Sequence, residues 1–546
     1  MNQSYDNFIK IATQIRIKNS DDFSKIKREI CKKLKISLPA NANLKNCYEK
    51  MVEQGKIQKN TNFEKFLFSK KNRTQSGVAV VAVLTKPYPC PGKCIYCPSE
   101  KEMPKSYLSN EPAVMRAVMA KFNPYIQVQR RIRALELNGH KTDKIELIVM
   151  GGTFSYLPSA YQINFITQCF KACNDYGKKI KNQPCLPAGR KSKIKKSALE
   201  KLECEQKRNE KAHHRIIGLT LETRPDYINL EELANFRKLG CTRVEIGVQS
   251  IFDDVLKTNK RGHATQKTIE ATGLMKELGF KVGYHLMPGL HGSNLKKDYG
   301  IFQKIFSNQD FQPDLIKIYP TVVIKQSPLY RLWKNDKYQP LENKAFEKFV
   351  LKIKNEIIPP YTRISRLVRD VPTPSIIAGP TVSNLRQLIV KKSKCSCIRC
   401  REVRSNYSEN ETIVLNRIDY PASGGHEIFL EYVSPDKKKL FALLRLRIPS
   451  PHFSNNLNVF KNFPILKNSA IIREVHTYGK MTAVNQKDTT SPQHIGLGKK
   501  LILEAERIAR EEFSLKKIAV ISGVGVREYY RKLGYKLKNN YMTKKI

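Results

Sequence analysis

Residues 77–100 read GVAVVAVLTKPYPCPGKCIYCPSE, a β-branched run followed at once by three closely spaced cysteines, Cys90, Cys94 and Cys97. A short run of valine and alanine that ends at prolines predicts a buried strand, with the cysteines in the loop after it. Five further β-branched runs follow along the chain, at 145–150, 215–222, 243–249, 281–287 and 315–320. Amphipathic stretches separate these runs, so six β/α units predict an α/β domain, either an open parallel sheet or a partial barrel.

The rest of the chain divides by composition. The predicted regions are a basic helical N-terminus (1–75), the β/α domain (76–320), a linker (321–411) and a smaller α+β domain with a mainly antiparallel sheet (412–546). Residues 1–75 hold 17 Lys or Arg against 7 acidic residues. Within the β/α domain, residues 177–212 are lysine-rich and poor in periodic apolar residues. This stretch predicts a mobile surface insertion between the second and third strands.

Charge and cysteine content narrow the function classes. The 546 residues include 98 Lys or Arg against 49 acidic residues, a formal charge of +49. Such an excess favours a polyanionic partner such as nucleic acid, although a lysine-rich proteome would produce the same balance. The chain has no apolar run of the roughly 20 residues that span a membrane and no secretory signal, which predicts a cytoplasmic protein. The 13 cysteines of such a chain indicate metal sites rather than disulfides.

The cysteine loop at 90–97 resembles that of radical S-adenosylmethionine (radical SAM) enzymes. There, three thiolates hold three irons of a [4Fe-4S] cluster, and the fourth iron stays open for S-adenosylmethionine. Tyr96, directly before the last cysteine, fits the aromatic residue common at that position. The alternative is zinc held by the same three cysteines and a distant fourth ligand.

Glycine and polar residues follow the successive predicted strands. Since the chemistry of β/α barrels lies at the carboxyl ends of the strands, these residues are expected to meet at one edge. Glycines would let backbone amides approach the cofactor, and the polar side chains suit its ribose and carboxylate. Each residue alone could equally belong to a turn or to the core. The residues predicted to bind S-adenosylmethionine are Gly151, Gly152, Thr153, Glu222, Arg224 and Gln249.

A second cysteine cluster, Cys395, Cys397 and Cys400, lies in KKSKCSCIRCREVR, outside any strand pattern. Thiolates at this spacing predict a tetrahedral structural zinc that clamps the junction between the two domains. A histidine, a carboxylate or water must complete the shell, and His426 is one candidate. Three unligated cysteines in a basic loop are the alternative.

The C-terminal domain carries a glycine pattern, QHIGLG at 493–498, directly before a helix-like stretch. Backbone amides at such a helix N-terminus can receive a pyrophosphate. The pattern resembles the pyrophosphate loop of GNAT-type acetyltransferases, which bind acetyl-CoA. ISGVGVREYYRKLGY, about thirty residues further on, resembles the last helix-turn-strand of that fold, where Tyr530 would hydrogen-bond the CoA sulfur or thioester region. The alternative is that Tyr529 and Tyr530 are core tyrosines.

A radical SAM domain joined to a GNAT domain resembles the catalytic acetyltransferase subunit of Elongator. The resemblance covers about residues 75–546 and is carried by CPGKCIYCPSE, IELIVMGGTF, LTLETRPDYI, VEIGVQSIFDDVL, CSCIRCREVR, REVHTYG and AVISGVGVREYYRKLGY. It implies a tRNA-modifying acyltransferase that forms a carboxymethyl-type group at C5 of the wobble uridine, position 34, in the anticodon stem-loop. Accessory subunits or a homodimer stay open as partners.

The same resemblance implies the residues of the acetyl-CoA site. Lys144 and Tyr530 would be catalytic, and the loop glycines would receive the pyrophosphate. The implied acetyl-CoA residues are Lys144, Glu474, Val475, His476, Thr477, Gln493, Gly496, Leu497, Gly498, Lys499 and Tyr530. Arg363, Arg366 and Arg369, with the basic N-terminus, would follow the tRNA backbone or would be solvated surface charges.

Radical chemistry suits the implied reaction because C5 of a uridine is not acidic enough for ordinary acid–base alkylation. In the family chemistry, a 5′-deoxyadenosyl radical takes a hydrogen from the acetyl methyl group, and the resulting carbon radical adds to C5. The alternative function is a protein-lysine acetyltransferase with a structural radical SAM domain, in which Glu474 would be the base. A non-catalytic tRNA-binding factor is supported only by charge.

Overall fold

The computed structural model describes residues 2–67, 77–177, 197–404, 407–408, 410–454, 457–479 and 496–546. The helices of the N-terminal region are α1 (Asn2–Gln14), α2 (Ser20–Lys33), α3 (Asn41–Glu53) and α4 (Thr61–Leu67). These four helices enclose a small core of their own, which includes Phe8, Leu44 and Phe63. Lys45 on α3 donates to the carbonyl of Glu136 at 3.3 Å and so connects this bundle to the rest of the chain. The predicted helical N-terminus is therefore present as a separate helical layer.

The central sheet has seven parallel strands in sequential order. They are β1 (Ala79–Leu84), β2 (Lys144–Met150), β3 (Arg215–Thr223), β4 (Arg243–Gln249), β5 (Lys281–Leu286), β6 (Leu315–Ile318) and β7 (Arg363–Arg366). The first six lie where the sequence predicts them. The seventh lies inside 321–411, which the sequence analysis treats as a linker, and it pairs with β6 from Leu315 to Lys317. Parallel pairing places the carboxyl ends of all seven strands at one edge.

Helices connect and cover these strands. They are α5 (Pro112–Met119), α6 (Pro124–Leu137), α7 (Ser159–Asp175), α8 (Ala198–Asn209), α9 (Leu230–Leu239), α10 (Asp253–Thr258), α11 (Thr265–Glu277), α12 (Leu295–Ser307), α13 (Leu329–Lys334), α14 (Asn343–Glu356), α15 (Leu385–Ile389) and α16 (Ile398–Arg401). The amphipathic stretch between β1 and β2 is two helices, because Asn123 caps a new helix that has Pro124 in its first turn.

The predicted surface insertion at 177–212 is partly helical. Residues 178–196 lie outside the described part of the chain. The rest contains α8, whose N-terminus is fixed by a reciprocal capping box between Ser197 and Glu200. Leu202 and Asn209 of α8 are fully buried, so the helix is part of the packed domain rather than a loop. The lysine-rich composition hid this short amphipathic pattern.

The second domain is built on a mixed sheet, mainly antiparallel as predicted. Its strands are β8 (Val414–Ala422), β9 (Gly425–Val433), β10 (Leu440–Ile448), β11 (Ala470–Thr477), β12 (Lys517–Val520), β13 (Lys536–Lys538) and β14 (Tyr541–Lys545). Among the described strands of this sheet, only β11 and β12 pair in parallel. Its helices are α17 (Pro451–Ser454), α18 (Leu457–Asn462), α19 (Leu497–Glu511) and α20 (Arg527–Arg531).

The two sheets are joined without an intervening layer of solvent. A Cβ atom on Gly523 would lie 2.0 Å from the carbonyl oxygen of Ile217 on β3, so only glycine allows this contact. Arg473 on β11 forms ion pairs with Asp314, just before β6, and with Glu427 on β9. All three side chains are buried, and removing one partner of such a pair typically costs about 3–5 kcal/mol. Within the described residues, none of the helices has the length and hydropathy of a membrane span.

Candidate functional site

The cysteine loop lies at the carboxyl edge of the central sheet, directly after β1. Cys94 is 5% exposed, whereas Cys90 and Cys97 are half-buried. Among the described residues, the three Sγ atoms do not form a group within 4.8 Å of one another, as ligands of a single ion would. This wider spacing suits a cluster in which each thiolate holds a different iron. Burial and then the charge of Cys94 raise the pKa of the Cys97 thiol to about 11.

The glycines after β2 pack directly against this loop, as the sequence predicts for one shared edge. Gly151 has φ +136°, and a Cβ there would lie 2.0 Å from the hydroxyl of Thr85 at the end of β1. The Thr153 hydroxyl lies 3.8 Å from the Sγ atom of Cys90. The structure therefore brings Thr153 next to the first cysteine, and Gly151 next to the end of β1.

Gln249, the last residue of β4, has the features of a ligand-binding side chain. It adopts φ +67°, which is uncommon for a residue other than glycine and concentrates at functional sites. Its side-chain oxygen is buried and has no hydrogen-bond partner among the residues that the structure describes. Since buried polar atoms are nearly always paired, this oxygen is available to a donor on a bound molecule. The residues at this edge thus fit a polar cofactor such as S-adenosylmethionine.

Glu222 and Arg224 are both engaged with other protein groups. Glu222 accepts hydrogen bonds from Lys317 at 3.0 Å and from the Tyr107 hydroxyl at 3.2 Å. Arg224 binds Asp226 through both carboxylate oxygens at 2.9 Å, and one of its nitrogens lies 3.9 Å from the Sγ atom of Cys94. Arg224 therefore contacts the cysteine loop, which the sequence did not indicate.

Sequence reasoning missed a second arginine beside Cys94. Arg261 comes from the turn after α10 and donates to the Cys94 Sγ atom at 3.5 Å. Burial raises the pKa of the Cys94 thiol, but the charge and hydrogen bond of Arg261 bring it below its ordinary value. A cavity of about 670 Å³ opens next to the loop, and its lining includes Lys93, Arg261 and His263. The glycine and basic residues of RGHA (261–264) were the only signal for this segment, and they form no common motif.

A column of charged side chains fills the interior of the barrel. Lys317 on β6 forms ion pairs with Glu222 on β3 and Glu245 on β4, and His285 on β5 lies 3.0 Å from the Glu245 carboxylate. Glu222, Glu245 and His285 are close enough together to hold a metal ion. Because the ammonium group of Lys317 already pairs with both carboxylates, we interpret the set as an ion-pair network. No sequence motif indicated this network, because each of its four residues comes from a different strand.

The second cysteine triad is compact. The Sγ atoms of Cys395, Cys397 and Cys400 lie within 4.8 Å of one another, and Cys397 is fully buried. Three thiolates that close can share one ion, so the geometry fits the predicted zinc. Around them, the Cys400 Sγ atom accepts a hydrogen bond from Lys354 at 3.4 Å.

His426, the candidate fourth ligand, is not part of this group. Its Nε2 atom is 2.8 Å from Asp419, and its ring packs against Phe513. It lies at the start of β9, on the opposite strand from Asp419, so cross-strand pairing explains its position. That candidate was wrong.

Three of the predicted acetyl-CoA residues, Gly498, Val475 and Thr477, meet at the start of α19. A Cβ on Gly498 would lie 3.3 Å from the Tyr529 hydroxyl, and within 4.0 Å of Val475 and Thr477 on β11. Gly496 precedes the helix with φ +77°. Gln493 lies outside the described residues. Leu497 and Lys499 belong to the first turn of α19. The backbone N–H groups of a first helical turn have no partner within the helix, so an anion is favoured in front of them.

The two tyrosines of α20, Tyr529 and Tyr530, differ in their exposure to solvent. Tyr530 is 5% exposed and packs in the core of the second domain against Tyr535. Tyr529 is 40% exposed, and its hydroxyl is the one beside Gly498. On this geometry, Tyr529 is the tyrosine closer to the pyrophosphate loop, while the assignment of Tyr530 stays a prediction.

Glu474 is held by two cations. Its carboxylate lies 3.2 Å from Lys281 at the start of β5 and 3.0 Å from Arg445 on β10. Burial raises its pKa, but these two charges outweigh burial and lower the pKa to about 2. At neutral pH the carboxylate is therefore ionised and paired, which is poorly suited to a general base. His476, two residues on, stacks on Tyr478 with ring centroids 4.3 Å apart.

Two edges of the central sheet are thus occupied by different predicted sites. Lys144 and Lys281 are the first residues of β2 and β5, so Glu474 meets the amino edge, whereas the cysteine loop is at the carboxyl edge. The six residues of β5 span about 17 Å between these edges. The pKa of Lys144 is lowered from its ordinary value, chiefly by burial.

The arginines expected along the tRNA backbone are largely engaged inside the protein. Arg363 pairs with Glu402 at 2.7 Å, and Arg369 pairs with Glu111 at 3.0 Å. Arg366 is more exposed and pairs with Asp370. Arg363 and Arg369 therefore stabilise the fold, and Arg366 is the member of this set that faces solvent.

A three-cysteine loop at the carboxyl edge of a parallel half-barrel is the arrangement of radical SAM enzymes. The family model of the radical SAM superfamily matches residues 88–302, and that of the radical SAM C-terminal domain matches residues 313–394, which include β7.

Individual relatives specify the family further. A tRNA uridine(34) acetyltransferase of Methanocaldococcus infernus is 45% identical, over 87% of this chain and 86% of its own length. The human Elongator complex protein 3 is 40% identical, over 88% of this chain and 86% of its own length. The solved structure of the Methanocaldococcus infernus Elp3 with an N-terminal deletion matches with a TM-score of 0.70 and 40% identity, over 86% of this chain and 99% of that chain. The chain belongs to this family of tRNA uridine(34) acetyltransferases and Elongator complex protein 3, and is an acyltransferase enzyme of the radical SAM class.

Proposed function

We propose that this enzyme uses acetyl-CoA and radical S-adenosylmethionine chemistry to form a carboxymethyl group at C5 of the wobble uridine of tRNA. The observation that carries the proposal is the similarity to tRNA uridine(34) acetyltransferases across both domains, over 86–88% of the chain. The relatives' names state the substrate base and the acetyl group. The carboxymethyl product and the thioester donor are the finer parts of the proposal.

On the cluster side, Cys90, Cys94 and Cys97 would hold a [4Fe-4S] cluster. The buried, unpartnered oxygen of Gln249 and the glycines at 151–152 support S-adenosylmethionine as the molecule bound beside it. When bound, these groups would supply the radical that removes a hydrogen from the acetyl methyl group. The protein's own part is to bury Cys94 and to orient the loop through Thr153 and the two arginines.

On the acyl side, the first turn of α19 would receive the pyrophosphate of acetyl-CoA. Gly498 leaves the space that a side chain would fill between the helix and Tyr529, and Val475 and Thr477 form the adjoining edge of β11. Lys144 at the amino edge of the central sheet would face the same region. This arrangement, which resembles that of GNAT acetyltransferases, supports acetyl-CoA as the acyl donor. The roles of the individual residues are part of the proposal.

The proposed acetyl-CoA site and the cysteine loop lie at opposite edges of the central sheet, so the acetyl donor and the cluster are separated. The acetyl group has to pass from the amino edge to the carboxyl edge, about 17 Å along β5. The interior column of Lys317, Glu222 and Glu245 lies across the strands between the two edges, with each member on a different strand. Its members are buried or half-buried, so the column would keep bulk water out while remaining polar.

The remaining parts of the proposal concern tRNA and zinc. The excess of 17 basic over 7 acidic residues in 1–75 would hold the anticodon stem-loop, whose wobble nucleotide must be turned out of the stack. The second triad would hold zinc with a fourth ligand outside the three cysteines. Location in the cytoplasm, with accessory subunits or a second copy as partners, belongs to the same proposal.

The test is in vitro modification followed by mass spectrometry of the wobble uridine. Full-length protein with an anaerobically assembled cluster should form a carboxymethyl-type uridine only when acetyl-CoA, S-adenosylmethionine and tRNA are all present. Cys204→Ala, at a cysteine outside both triads, is the matched control and should remain active. Product formed without S-adenosylmethionine would contradict the radical route.

The alternative, a protein-lysine acetyltransferase, is disfavoured by Glu474. A carboxylate whose pKa is about 2 stays ionised between pH 5 and 9, and Glu474 is also paired with two cations, so it is a poor proton acceptor at these pH values. If Glu474 were the base, the wild-type enzyme would acetylate a lysine peptide and Glu474→Gln would abolish that transfer. We expect instead no peptide acetylation by the wild-type enzyme.

A further inference from the structure

Two buried guanidinium groups converge on one cysteine of the cluster loop. Arg261 and Arg224 are 5% and 6% exposed, and their nitrogens lie 3.5 Å and 3.9 Å from the Sγ atom of Cys94. Hydrogen bonds from a cation to a thiolate are among the strong ones, particularly where water is excluded. The positive charge is therefore concentrated at Cys94.

The two arginines are positioned by different contacts. A second nitrogen of Arg261 donates to the carbonyl of Gly247 on β4. Arg224 donates to the carbonyl of Arg261 at 2.7 Å and is fixed from its other side by Asp226. The charge of Arg224 is thus neutralised by a carboxylate. In the part of the chain that the structure describes, no carboxylate oxygen lies within 4.0 Å of Arg261, so Arg261 is the net cation of the pair.

Glycines make room for both guanidinium groups. A Cβ on Gly92, inside the cysteine loop, would lie 2.4 Å from a nitrogen of Arg224. A Cβ on Gly247 would lie 3.0 Å from a nitrogen of Arg261. Because a side chain at either position would push an arginine away from Cys94, the backbone of the loop and of β4 is shaped around these two groups.

The other two cysteines have weaker contact with cations: the charges of Lys105 and Arg369 act on Cys97, but Arg369 is paired with Glu111. Cys90 contacts the backbone N–H of Gly92 at 3.4 Å and the hydroxyl of Thr153. No arginine nitrogen of the described residues donates to Cys90 or Cys97. Charges and hydrogen bonds at the sulfurs are what sets the potential of an iron–sulfur cluster. A buried cation in contact with one ligand sulfur should therefore shift the reduction potential of the whole cluster.

We propose that Arg261 is a positioning residue that raises the reduction potential of the iron–sulfur cluster by stabilising negative charge at the Cys94 corner. One electron from a low-potential one-electron donor adds one negative charge to the cluster, and no bond or proton changes with it. A fixed positive charge 3.5 Å from a ligand sulfur favours that reduced state. The inference rests on the cluster of the proposed function.

The experiment is a redox titration of the full-length, cluster-loaded protein with dithionite, followed by electron paramagnetic resonance. Arg261→Gln keeps a hydrogen-bond donor but loses the charge, and Arg261→Lys keeps the charge. At a fixed potential we expect the reduced-to-oxidised ratio of Arg261→Gln to fall about tenfold, a midpoint about 59 mV more negative. Arg261→Lys should recover most of that shift. Lys260→Gln, an exposed cation lining the same cavity, should leave the midpoint unchanged because solvent screens it.

The possible results distinguish a failure of this inference from a failure of the proposed function. An Arg261→Gln protein with full iron content and the wild-type midpoint would overturn the role of Arg261. Loss of the cluster in Arg261→Gln with retention in Arg261→Lys would support it, because glutamine lacks the positive charge that lysine and arginine share. Loss of the cluster in both would show a role of shape, and would overturn it. A wild-type protein that takes up no cluster would instead sink the proposed function itself.

Discussion

The two cysteine triads of this chain have the same number of thiols and opposite surroundings. The first, Cys90 to Cys97, is spread out in a loop at the carboxyl edge of a parallel sheet and is contacted by two guanidinium groups. The second, Cys395 to Cys400, is drawn together within 4.8 Å. Its segment hydrogen-bonds to Thr362 before β7 and, through Val403, to Leu440 on β10, so it ties the two sheets together. On the proposed function, the environment of the thiols, more than their number, separates the reactive cluster site from the zinc site that would clamp the two domains.

The largest effect is expected from the removal of Cys94. With one of three iron ligands gone, Cys94→Ala should lose the cluster and all uridine modification, a loss of activity beyond detection. Because Cys94 lies far along the chain from the second triad and from α19, zinc content and acetyl-CoA binding should stay at wild-type levels. Iron and zinc analysis with calorimetric titration of acetyl-CoA would measure this. Uridine modification by a cluster-free variant would contradict the reactive role of the first triad.

Selective removal of metal should separate the triads without mutation. An anaerobic zinc chelator should take the ion from the second triad and lower the melting temperature, since binding to the folded state stabilises it. The visible absorbance of the cluster should persist. Mild oxidation should have the reverse effect on metal content. Simultaneous loss of both metals under either treatment would mean that the two sites are not independent.

A smaller effect is expected from Cys397→Ala. This thiol is fully buried, so its loss leaves a small cavity and, on the proposed function, also removes a zinc ligand. We expect a loss of at least about 2 kcal/mol in the free energy of unfolding, measured by urea titration of the full chain. Cys400→Ala is the comparison variant because Cys400 is exposed. Equal destabilisation by Cys173→Ala, a buried core cysteine, would show that the cavity rather than the ion accounts for the change.

The smallest effect is expected from Gly92→Ala, which leaves every ligand in place. Its Cβ would displace Arg224, so the cluster should be released to an iron chelator about tenfold faster than in the wild type, a typical effect of losing a group that orients a ligand. Gly55→Ala, at a glycine with nothing within 4 Å of the added Cβ, is the control for chain-wide effects. An unchanged release rate would mean that Arg224 does not hold the loop.

Sequence patterns predicted the six strands, the cysteine loop and the glycines of the shared edge because these depend on short local runs. They did not reveal β7, since RISR at 363–366 alternates charged and small polar residues with one buried isoleucine. They placed Arg224 at the cofactor, but its position beside Cys94 depends on Asp226 and on Arg261, which comes from another loop. Contacts of this kind depend on tertiary structure, so a single sequence contains no periodicity that reports them.

The close approach of Gly523 to the backbone of Ile217 limits how this protein can evolve. At 2.0 Å there is no room for even one methyl group, so the halves cannot drift apart in sequence at this seam or be exchanged freely between relatives. A chimera that joins the first half of one homologue to the second half of another should fold only if the parent of the second half has glycine there. The packing of the two domains thus restricts which halves can be combined.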